Sequence, residues 1–493
     1  MEAKVAKLRV KPKPFLFSEF CKGCGRCIAT CRFGCIEEGT EINPETGLMP
    51  VVIDLEKCTS CGLCISACPE PFGLHLRALN IDDIDNESLE GVHSFAELVE
   101  IFDKAHYELE DPADLFGPRE TQAPDPVPIP DQWLPLAHDE PLVLKGNYAS
   151  AVGAILAGCR HVYGYPITPS TEGAELMAKL QPLMDGVFFQ AVSEVATVNM
   201  MYGTGGAGLP CMTFTSSPGF SLMLEGVSYM VGAEVPGVFV NVMRGGPGLG
   251  NIAPEQSDIK LACRGLGHGN THAIVLTPST PQEMLDLTML AFELTMKYRN
   301  PVVILGDGYL GQMTGRVNLP DQMKKPGIPE WAVYGDLNHR GNLICSILLV
   351  ETELEAHNIH LNKKYEEMTA SEQKADLFFT DDAEVLVVAT NTPARMAKGA
   401  VKELRDQGVK AGLFRPITLW PFPIDLLLPL LPNTRRIVTV EASNGQLEDE
   451  LRLALSKAGA QTPVMDHVRR FGGILPQQGE IVEAVLAGEG VAP

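Results

Sequence analysis

Short apolar runs alternate with amphipathic segments along most of the chain after about residue 142. Five of these runs predict buried strands: 161–164, 187–190, 210–214, 237–242 and 301–305. Three segments between them repeat apolar residues at helical spacing: 172–180, 192–202 and 281–297. Strand–helix alternation on this scale predicts an α/β fold with a doubly wound parallel sheet, which we assign to residues 142–340.

The same pattern returns on a smaller scale towards the C-terminus. The charged segment 352–376 predicts a helix and places a helical connection at about 341–380. Three apolar runs then predict the strands of a smaller α/β domain: 384–389, 410–414 and 436–440. We assign this second domain to residues 381–493.

The N-terminal part has a different pattern. Residues 41–53 place a Pro/Gly turn between short β-prone segments, which predicts a hairpin. Residues 109–141 are a predicted linker, because six prolines fall between positions 112 and 130. This spacing excludes a helix, leaves no donor ladder for a sheet and favours an extended chain. Residues 1–108 are therefore predicted to form a unit of their own.

Composition restricts the possible partners. The 493 residues carry a formal net charge of −23, whereas nucleic acids and anionic membranes are bound by basic patches. The first twenty residues lack the apolar core of a signal peptide, and no apolar run approaches the length of a membrane span. We therefore expect a cytoplasmic protein.

Eight of the thirteen cysteines lie in two runs with the spacing C-x2-C-x2-C-x3-C, at 21–31 and 58–68. Thiolates at this spacing can surround one face of a cubane iron–sulfur cluster. Zinc ribbons are the alternative, but they use C-x2-C pairs separated by long gaps. The other five cysteines are scattered, which suits a reducing compartment. Among them, Cys35 is predicted to be a packed free thiol rather than a ninth ligand.

Four loops of the middle domain follow predicted strands, at the edge where open α/β sheets bind ligands. They span 165–170, 193–194, 215–219 and 243–251. Each is weak evidence alone, since the first is typical of a helix cap and Glu194 is typical of an exposed first-turn residue. In the fourth, Arg244 precedes a glycine-rich loop whose backbone a ligand could approach closely.

The loop motifs are more informative together, because five of them occur in the order and approximate spacing of one family. They are Tyr-Pro-Ile-Thr-Pro-Ser at 165–170, Ser-Glu at 193–194, Thr-Ser-Ser-Pro-Gly at 215–219, Arg-Gly-Gly-Pro-Gly at 244–248 and Glu-Ala-Ser-Asn-Gly-Gln-Leu at 441–447. Residues 142–493 thus resemble the catalytic alpha-type subunit of the thiamine-diphosphate-dependent 2-oxoacid:ferredoxin oxidoreductases. Residues 1–108 resemble that family's ferredoxin-like domain. Within the family, 244–258 looks most like the 2-ketoisovalerate members, whereas 2-oxoglutarate relatives more often have Ser-Thr at Gly248-Leu249.

The resemblance implies a thiamine-diphosphate pyrimidine-type domain, then a transketolase-C-terminal-like domain, both preceded by a bacterial-type 2[4Fe–4S] ferredoxin domain. It implies that Glu194 hydrogen-bonds the cofactor's aminopyrimidine and that Thr168 contacts the substrate and cofactor. It further implies that Arg244 pairs with the 2-oxoacid carboxylate, for which a guanidinium fork is suited. Gln256 and Asp258 belong to the motif without a defined role, and helix capping is an equally good interpretation of them.

In two-cluster ferredoxins the fourth cysteine of each run binds the other run's cluster. The resemblance therefore implies that one [4Fe–4S] cluster is bound by Cys21, Cys24, Cys27 and Cys68. It implies that the second is bound by Cys58, Cys61, Cys64 and Cys31. The expected partners are a beta subunit that holds most of the thiamine diphosphate and its Mg²⁺, a gamma-type subunit, and ferredoxin.

The activity implied is CoA-dependent oxidative decarboxylation of a 2-oxoacid to acyl-CoA and CO2, with electrons leaving through the clusters to ferredoxin. 2-Ketoisovalerate is the favoured substrate, 2-oxoglutarate is the second candidate, and pyruvate or an aryl pyruvate is a further alternative. The second carboxylate of 2-oxoglutarate needs another cation, and the sequence has none near Gly248-Leu249. A non-catalytic electron-transfer subunit is the rival interpretation, which the presence of Thr168, Glu194 and Arg244 disfavours.

Two other motifs are not interpreted as sites. Gly203–Gly208 fits G-x-G-x-x-G, but it follows a predicted helix and precedes a strand, the reverse of a dinucleotide fingerprint. Gly306–Gly308 resembles the start of a thiamine-diphosphate and magnesium motif, but no suitably spaced asparagine pair follows it. The first is predicted to be a helix-to-strand turn.

Overall fold

The computed structural model describes residues 13–43, 47–70, 73–77, 127–137, 140–336, 338–339 and 341–488. It divides into two compact units, 1–120 and 121–493. The predicted linker falls partly outside the described residues, which resume at Val127.

The described part of the first unit contains two small antiparallel pairs of strands and two short α-helices. Its elements are β1 (Lys13–Leu16), α1 (Arg26–Thr30), β2 (Ile36–Glu38), β3 (Val51–Ile53), α2 (Leu63–Ala67) and β4 (Leu74–Arg77). β1 pairs with β4 and β2 pairs with β3. The predicted hairpin is confirmed, although its first strand lies just before the predicted segment.

The second unit contains the remaining sixteen described strands. They are β5 (Gln132–Pro135), β6 (Leu142–Lys145), β7 (His161–Gly164), β8 (Val187–Gln190), β9 (Cys211–Thr215), β10 (Gly237–Met243), β11 (Ile274–Leu276), β12 (Pro301–Asp307), β13 (Thr314–Val317), β14 (Gln322–Lys325), β15 (Ala375–Phe378), β16 (Val385–Ala389), β17 (Ala411–Pro416), β18 (Thr418–Trp420), β19 (Arg436–Glu441) and β20 (Val464–Arg469).

Twelve described α-helices connect and cover these strands. They are α3 (Gly146–Leu156), α4 (Thr171–Leu180), α5 (Glu194–Gly206), α6 (Ser217–Gly232), α7 (Ile259–Arg264), α8 (Pro281–Tyr298), α9 (Gly308–Gln312), α10 (Glu351–Ser371), α11 (Asn391–Asp406), α12 (Ile424–Leu427), α13 (Gln446–Lys457) and α14 (Gln478–Gly488).

The main sheet has seven strands in the order β18-β11-β12-β10-β9-β7-β8. All pairs among β7 to β12 are parallel, and β18 joins β11 antiparallel at one edge. Every residue of β9, β10 and β12 is buried, which explains why these strands appear in the sequence as continuous apolar runs.

Helices cover both faces of this sheet. On β10, Val238, Val240 and Val242 pack in the cluster that includes residues of α3, α4 and α8. The alternate residues Phe239 and Met243 pack in the cluster that includes residues of α5, α6 and α7. The predicted doubly wound α/β fold is therefore confirmed.

The smaller sheet has the order β15-β17-β16-β19-β20, parallel except for β15. β15 lies inside the stretch predicted as a helical connection, because α10 ends at Ser371 and the next residues form a strand. Its short mixed sequence, Ala-Asp-Leu-Phe, gave no clear strand pattern.

The predicted linker also forms more structure than expected. Residues Gln132–Pro135 form β5, which pairs antiparallel with β14, so the prediction that this stretch forms no sheet is wrong here. The dense proline spacing ends at Pro130, and Gln132 to Leu134 retain the backbone N–H groups that a ladder requires.

Candidate functional site

The eight cysteines of the two runs surround two cavities in the first unit. One cavity is lined by Cys21, Cys24, Cys27 and Cys68. The other is lined by Cys31, Cys58, Cys61 and Cys64. Each group thus takes three cysteines from one run and the last cysteine of the other. The sulfur donors and the equal grouping fit one [4Fe–4S] cluster in each cavity.

The two cysteine runs have the same local backbone geometry, which explains why the two groups of four cysteines are alike. Gly25 and Gly62 precede α1 and α2 with φ angles of 70° and 75°, a left-handed conformation that favours glycine. In both runs the third cysteine lies in the short helix and the fourth follows it directly. The N–H of Val51 points to the Cys21 sulfur at 3.5 Å, a contact of the kind that stabilises cluster ligands.

Cys35 lines the second cavity together with its four cysteines. It is buried, and its sulfur lies 3.1 Å from the sulfur of Cys31. Sequence spacing gave no sign of this contact, because Cys35 falls outside both runs. That it is a packed free thiol rather than a ligand stays a prediction.

In the second unit, the four loops singled out from the sequence lie at one edge of the main sheet. They follow β7, β8, β9 and β10, which are neighbours in the order β10-β9-β7-β8. Because these strands are parallel, their carboxyl ends meet at the same edge. Thr168, Glu194 and Arg244 are therefore brought to one side of the sheet from separate parts of the chain.

Glu194 is the first residue of α5, and its side chain is only 5% exposed. The preceding Ser193 caps the helix, with its hydroxyl accepting a hydrogen bond from the Ala196 N–H at 3.3 Å. The carboxylate points at the start of α6: a Cβ added to Gly219 would lie 2.5 Å from Glu194 Oε1. The interpretation of Glu194 as an exposed helix residue is therefore wrong.

The Thr215 side chain also packs against Gly219, next to the Glu194 carboxylate. The same added Cβ on Gly219 would lie 2.5 Å from the Thr215 hydroxyl, which is fully buried and has no hydrogen-bond partner among the described residues. A buried carboxylate beside a buried free hydroxyl can serve a ring that presents both a nitrogen acceptor and an amino group. The residues present thus fit the aminopyrimidine end of thiamine diphosphate.

Arg244 follows β10 and is 8% exposed. Its guanidinium donates to the backbone carbonyl of Thr168 at 2.8 Å and to that of Leu249 at 3.3 Å. Its Nε is buried without a partner among the described residues, so donor capacity remains. The side chain of Thr168 is exposed, and its backbone carbonyl fixes the arginine from the neighbouring loop.

Asp258 and two serines hold the backbone of Arg244 in place. The Arg244 N–H donates to the Ser217 hydroxyl at 3.1 Å, and the Ser257 hydroxyl donates to the Arg244 carbonyl at 2.8 Å. Asp258 accepts from the Asn241 amide at 2.9 Å. Burial raises the pKa of Asp258, and hydrogen bonds from Ser217, Asn241 and Ser257 oppose that rise. The sequence singled out the loop that contains Ser217, but it assigned no role to Ser217 or to Asp258.

Neither Asp258 nor Gln256 caps a helix with its side chain, so the capping interpretation is wrong for both. Asp258 precedes α7, but its side chain makes no capping hydrogen bond. Gln256 is fully buried and reaches the smaller sheet, where its amide nitrogen donates to the Thr390 carbonyl at 3.2 Å and its oxygen accepts from the Ala442 N–H at 2.8 Å. Gln446, in the last of the matching motifs, donates to the Ser257 carbonyl at 2.8 Å. The loop after β10 is thus bound to both sheets.

The two motifs that were set aside are structural. Gly203–Gly208 covers the end of α5 and the turn before β9. Asp307 caps α9, where one carboxylate oxygen accepts from the N–H groups of Tyr309 and Leu310, both at 3.0 Å. Its other oxygen accepts from the Thr392 N–H at 2.9 Å. The predicted helix-to-strand turn at Gly203–Gly208 is confirmed, and Gly306–Gly308 forms the junction between β12 and α9.

Three family models match the chain. A model described as pyruvate flavodoxin/ferredoxin oxidoreductase, thiamine diphosphate-binding, matches residues 152–377. Pyruvate:ferredoxin oxidoreductase core domain II matches 383–481, and a 4Fe-4S dicluster domain matches 20–71.

Relatives with assigned names agree with these matches. The chain is 43% identical over 344 residues to the ketoisovalerate oxidoreductase subunit VorB of Methanothermobacter thermautotrophicus, covering 70% of this chain and 96% of the relative. It is 35% identical over 373 residues to the 2-oxoglutarate synthase subunit KorA of Methanocaldococcus jannaschii, covering 70% and 98%.

A solved structure shares the fold. The 2-oxoglutarate:ferredoxin oxidoreductase from Magnetococcus marinus superposes with a TM-score of 0.63 at 24% identity, over 71% of this chain and 65% of that one. Within the described part of this chain, no helix has the length and apolar character to cross a membrane.

Together, the matching domain models and the named relatives show that the chain belongs to the 2-oxoacid:ferredoxin oxidoreductase family as an alpha-type subunit, with [4Fe–4S] clusters and thiamine diphosphate as its cofactors.

Proposed function

We propose that this subunit binds a branched-chain 2-oxoacid, 2-ketoisovalerate, for CoA-dependent oxidative decarboxylation and passes the released electrons through its clusters to ferredoxin. The overall reaction converts 2-oxoacid, CoA and two oxidised ferredoxins into acyl-CoA, CO2, a proton and two reduced ferredoxins. The observation that carries the proposal is the buried Glu194 carboxylate at the same sheet edge as the buried Arg244 guanidinium.

Thiamine diphosphate supplies the electron sink that makes loss of CO2 possible. Glu194 holds a proton between its carboxylate and the pyrimidine, and its burial excludes water from that exchange. Arg244 binds the substrate carboxylate with the donor capacity that its contacts to Thr168 and Leu249 leave free. Thr168, in the loop after β7, orients the substrate.

The same proposal assigns the cluster ligands. Cys21, Cys24, Cys27 and Cys68 bind one [4Fe–4S] cluster, and Cys31, Cys58, Cys61 and Cys64 bind the other. The grouping of these cysteines around two separate cavities, three from one run and one from the other, supports the assignment. An EPR spin count of two reduced clusters per chain is expected, and a count well below two contradicts the ligand pairing.

A beta subunit is proposed to cover the sheet edge and to hold the diphosphate and Mg²⁺, with a gamma-type subunit completing the enzyme. Support comes from large apolar side chains that are exposed on the loops and helices of this edge. They are Tyr165 at 41%, Val192 at 88%, Leu222 at 54%, Leu249 at 82% and Tyr309 at 46% exposed. Clustered exposed apolar side chains are typical of a surface that another chain covers.

The substrate preference rests on the loop after β10. Leu249 and Ile252 are exposed there, and the sequence 245–252 contains no cationic residue. An apolar rim suits the isopropyl group of 2-ketoisovalerate, whereas the second carboxylate of 2-oxoglutarate would lack a charged partner from this loop. The named ketoisovalerate relative agrees with this preference, and the KorA relatives make 2-oxoglutarate the second candidate.

A substrate panel tests the proposal. The complex that co-purifies with this chain is assayed with CoA, a viologen dye as electron acceptor, and each of 2-ketoisovalerate, 2-oxoglutarate and pyruvate. The highest kcat/KM is expected for 2-ketoisovalerate. A higher value for 2-oxoglutarate contradicts the substrate assignment, and no dye reduction with any 2-oxoacid favours a non-catalytic electron-transfer subunit.

A further inference from the structure

Asp258 is a buried carboxylate that the proposed chemistry does not use. It is 6% exposed, and one of its oxygens accepts from the Asn241 amide at 2.9 Å. The other lies 3.3 Å from the Ser257 hydroxyl, whose single proton it shares with the nearer Arg244 carbonyl. It makes no capping bond to α7, the helix that it precedes. This buried carboxylate is stabilised by its hydrogen bonds and by the charge of Arg244, so its position has a cause other than helix formation.

The partners of Asp258 converge on the backbone of Arg244. Ser257 donates to the Arg244 carbonyl at 2.8 Å, and Ser217 accepts from the Arg244 N–H at 3.1 Å. The two serine hydroxyls lie 3.3 Å apart. Arg244 is the residue at which β10 leaves the sheet, so these hydroxyls hold it where the strand ladder ends.

The network also reaches the turn beneath Glu194. Ser217 is the first residue of α6, and Gly219, two residues further on, packs against the Glu194 carboxylate. Asn241 anchors the other end of the network within β10. Movement of Asp258 would therefore free Arg244 from the start of α6, the turn that packs against Glu194.

We propose that Asp258 is a positioning residue that, through Ser217 and Ser257, fixes the Arg244 guanidinium for the substrate carboxylate. The inference rests on the proposed role of Arg244 in binding that carboxylate. Asp258 does not touch the substrate. Because the carboxylate contact is already made in the ground state, a misplaced guanidinium weakens substrate binding more than turnover.

The test compares variants in the co-purified complex with 2-ketoisovalerate, saturating CoA and a viologen acceptor. Asp258→Ala is expected to raise KM roughly tenfold while kcat changes by less than about threefold. Asp258→Asn serves as the conservative variant: its side-chain oxygen can still accept from Ser257, and its amide can donate to Asn241 Oδ1, which is buried without a partner in the described structure. Its KM is expected to lie at least about threefold below that of Asp258→Ala.

A double-mutant cycle is needed to show that Asp258 acts through Arg244. Arg244→Met alone tests the proposed carboxylate site, and an unchanged KM there overturns the proposed function itself. If Arg244→Met raises KM, adding Asp258→Ala should raise it no further. Additive effects, or a wild-type KM in Asp258→Ala, overturn the positioning role while leaving the proposed function intact.

Folding is checked by the visible absorption of the clusters and the thermal midpoint of each variant. If Asp258→Ala does not fold, Ser257→Ala replaces it, since that change removes the hydroxyl that donates to the Arg244 carbonyl. Ser257→Ala should likewise raise KM without further effect in the Arg244→Met background. A wild-type KM in a folded Ser257→Ala complex contradicts the inference.

Discussion

Replacement of Gly219 by alanine should slow decarboxylation without removing any charged group. An alanine Cβ at this position would lie 2.5 Å from both Glu194 Oε1 and the Thr215 hydroxyl, whereas ordinary contact begins at 3.4 Å. The Glu194 carboxylate and the start of α6 must therefore separate by about 0.9 Å to restore ordinary contact. A displacement of that size can reduce turnover by about 10²-fold when the displaced group takes part in the chemistry.

The backbone itself tolerates the change. Gly219 lies in the first turn of α6, and alanine is favoured over glycine in helices by about 1 kcal/mol. The folded complex should consequently form, with its clusters intact, and the loss should appear in kcat for CO2 release at saturating 2-oxoacid. The assay is release of labelled CO2 from carboxyl-labelled substrate, measured beside the visible absorption of the clusters.

Gly203→Ala is the matched control. Gly203 lies in α5, the helix that Glu194 begins, but an added Cβ there would have no neighbour within 4 Å. This variant should keep wild-type turnover and a thermal midpoint at or above that of the wild type. If Gly219→Ala turns over as fast as Gly203→Ala, the packing of Glu194 against Gly219 has no part in the reaction.

Three further predictions concern the residues assigned to the two sites. Glu194→Gln preserves volume but removes the acid, so decarboxylation should fall by about 10²- to 10⁴-fold with the cluster absorption unchanged, and wild-type turnover would exclude the proposed role. Arg244→Met should raise KM by about ten- to a hundredfold for every 2-oxoacid tested, since a charged hydrogen-bond donor is lost; a substrate-specific rise would place Arg244 at the side-chain pocket instead. Cys58→Ala should abolish ferredoxin reduction while substrate-dependent CO2 exchange continues, and loss of both activities would indicate that the clusters are needed for the subunit to assemble.

The fold was largely predictable because its central strands are buried on both faces. Such strands are continuous apolar runs, and the predicted run 237–242 became Gly237–Met243. β18 was not predicted, because its three residues, Thr418–Trp420, lie far from β11 in the sequence and form a strand by pairing with it. A contact of that separation has no local sequence pattern.

The site was predictable in its members but not in its arrangement. Family motifs identified Glu194 and Arg244, yet only the fold reveals that both are almost completely buried. The supporting residues Ser217, Asn241 and Asp258 are polar side chains on three separate segments, and nothing local in the sequence links them. Gln256 was assigned to capping as readily as to any other role, because its partners Thr390 and Ala442 are more than 130 residues away.

The central claim is that electrons released at the Glu194–Arg244 site leave through the clusters of the same subunit. Freeze-quench EPR of the co-purified complex, mixed with 2-ketoisovalerate and CoA, tests it most directly. The signal of reduced [4Fe–4S] clusters should grow at least as fast as steady-state turnover and be absent in Glu194→Gln. Clusters that stay oxidised while the wild-type complex releases CO2 and forms acyl-CoA would contradict it.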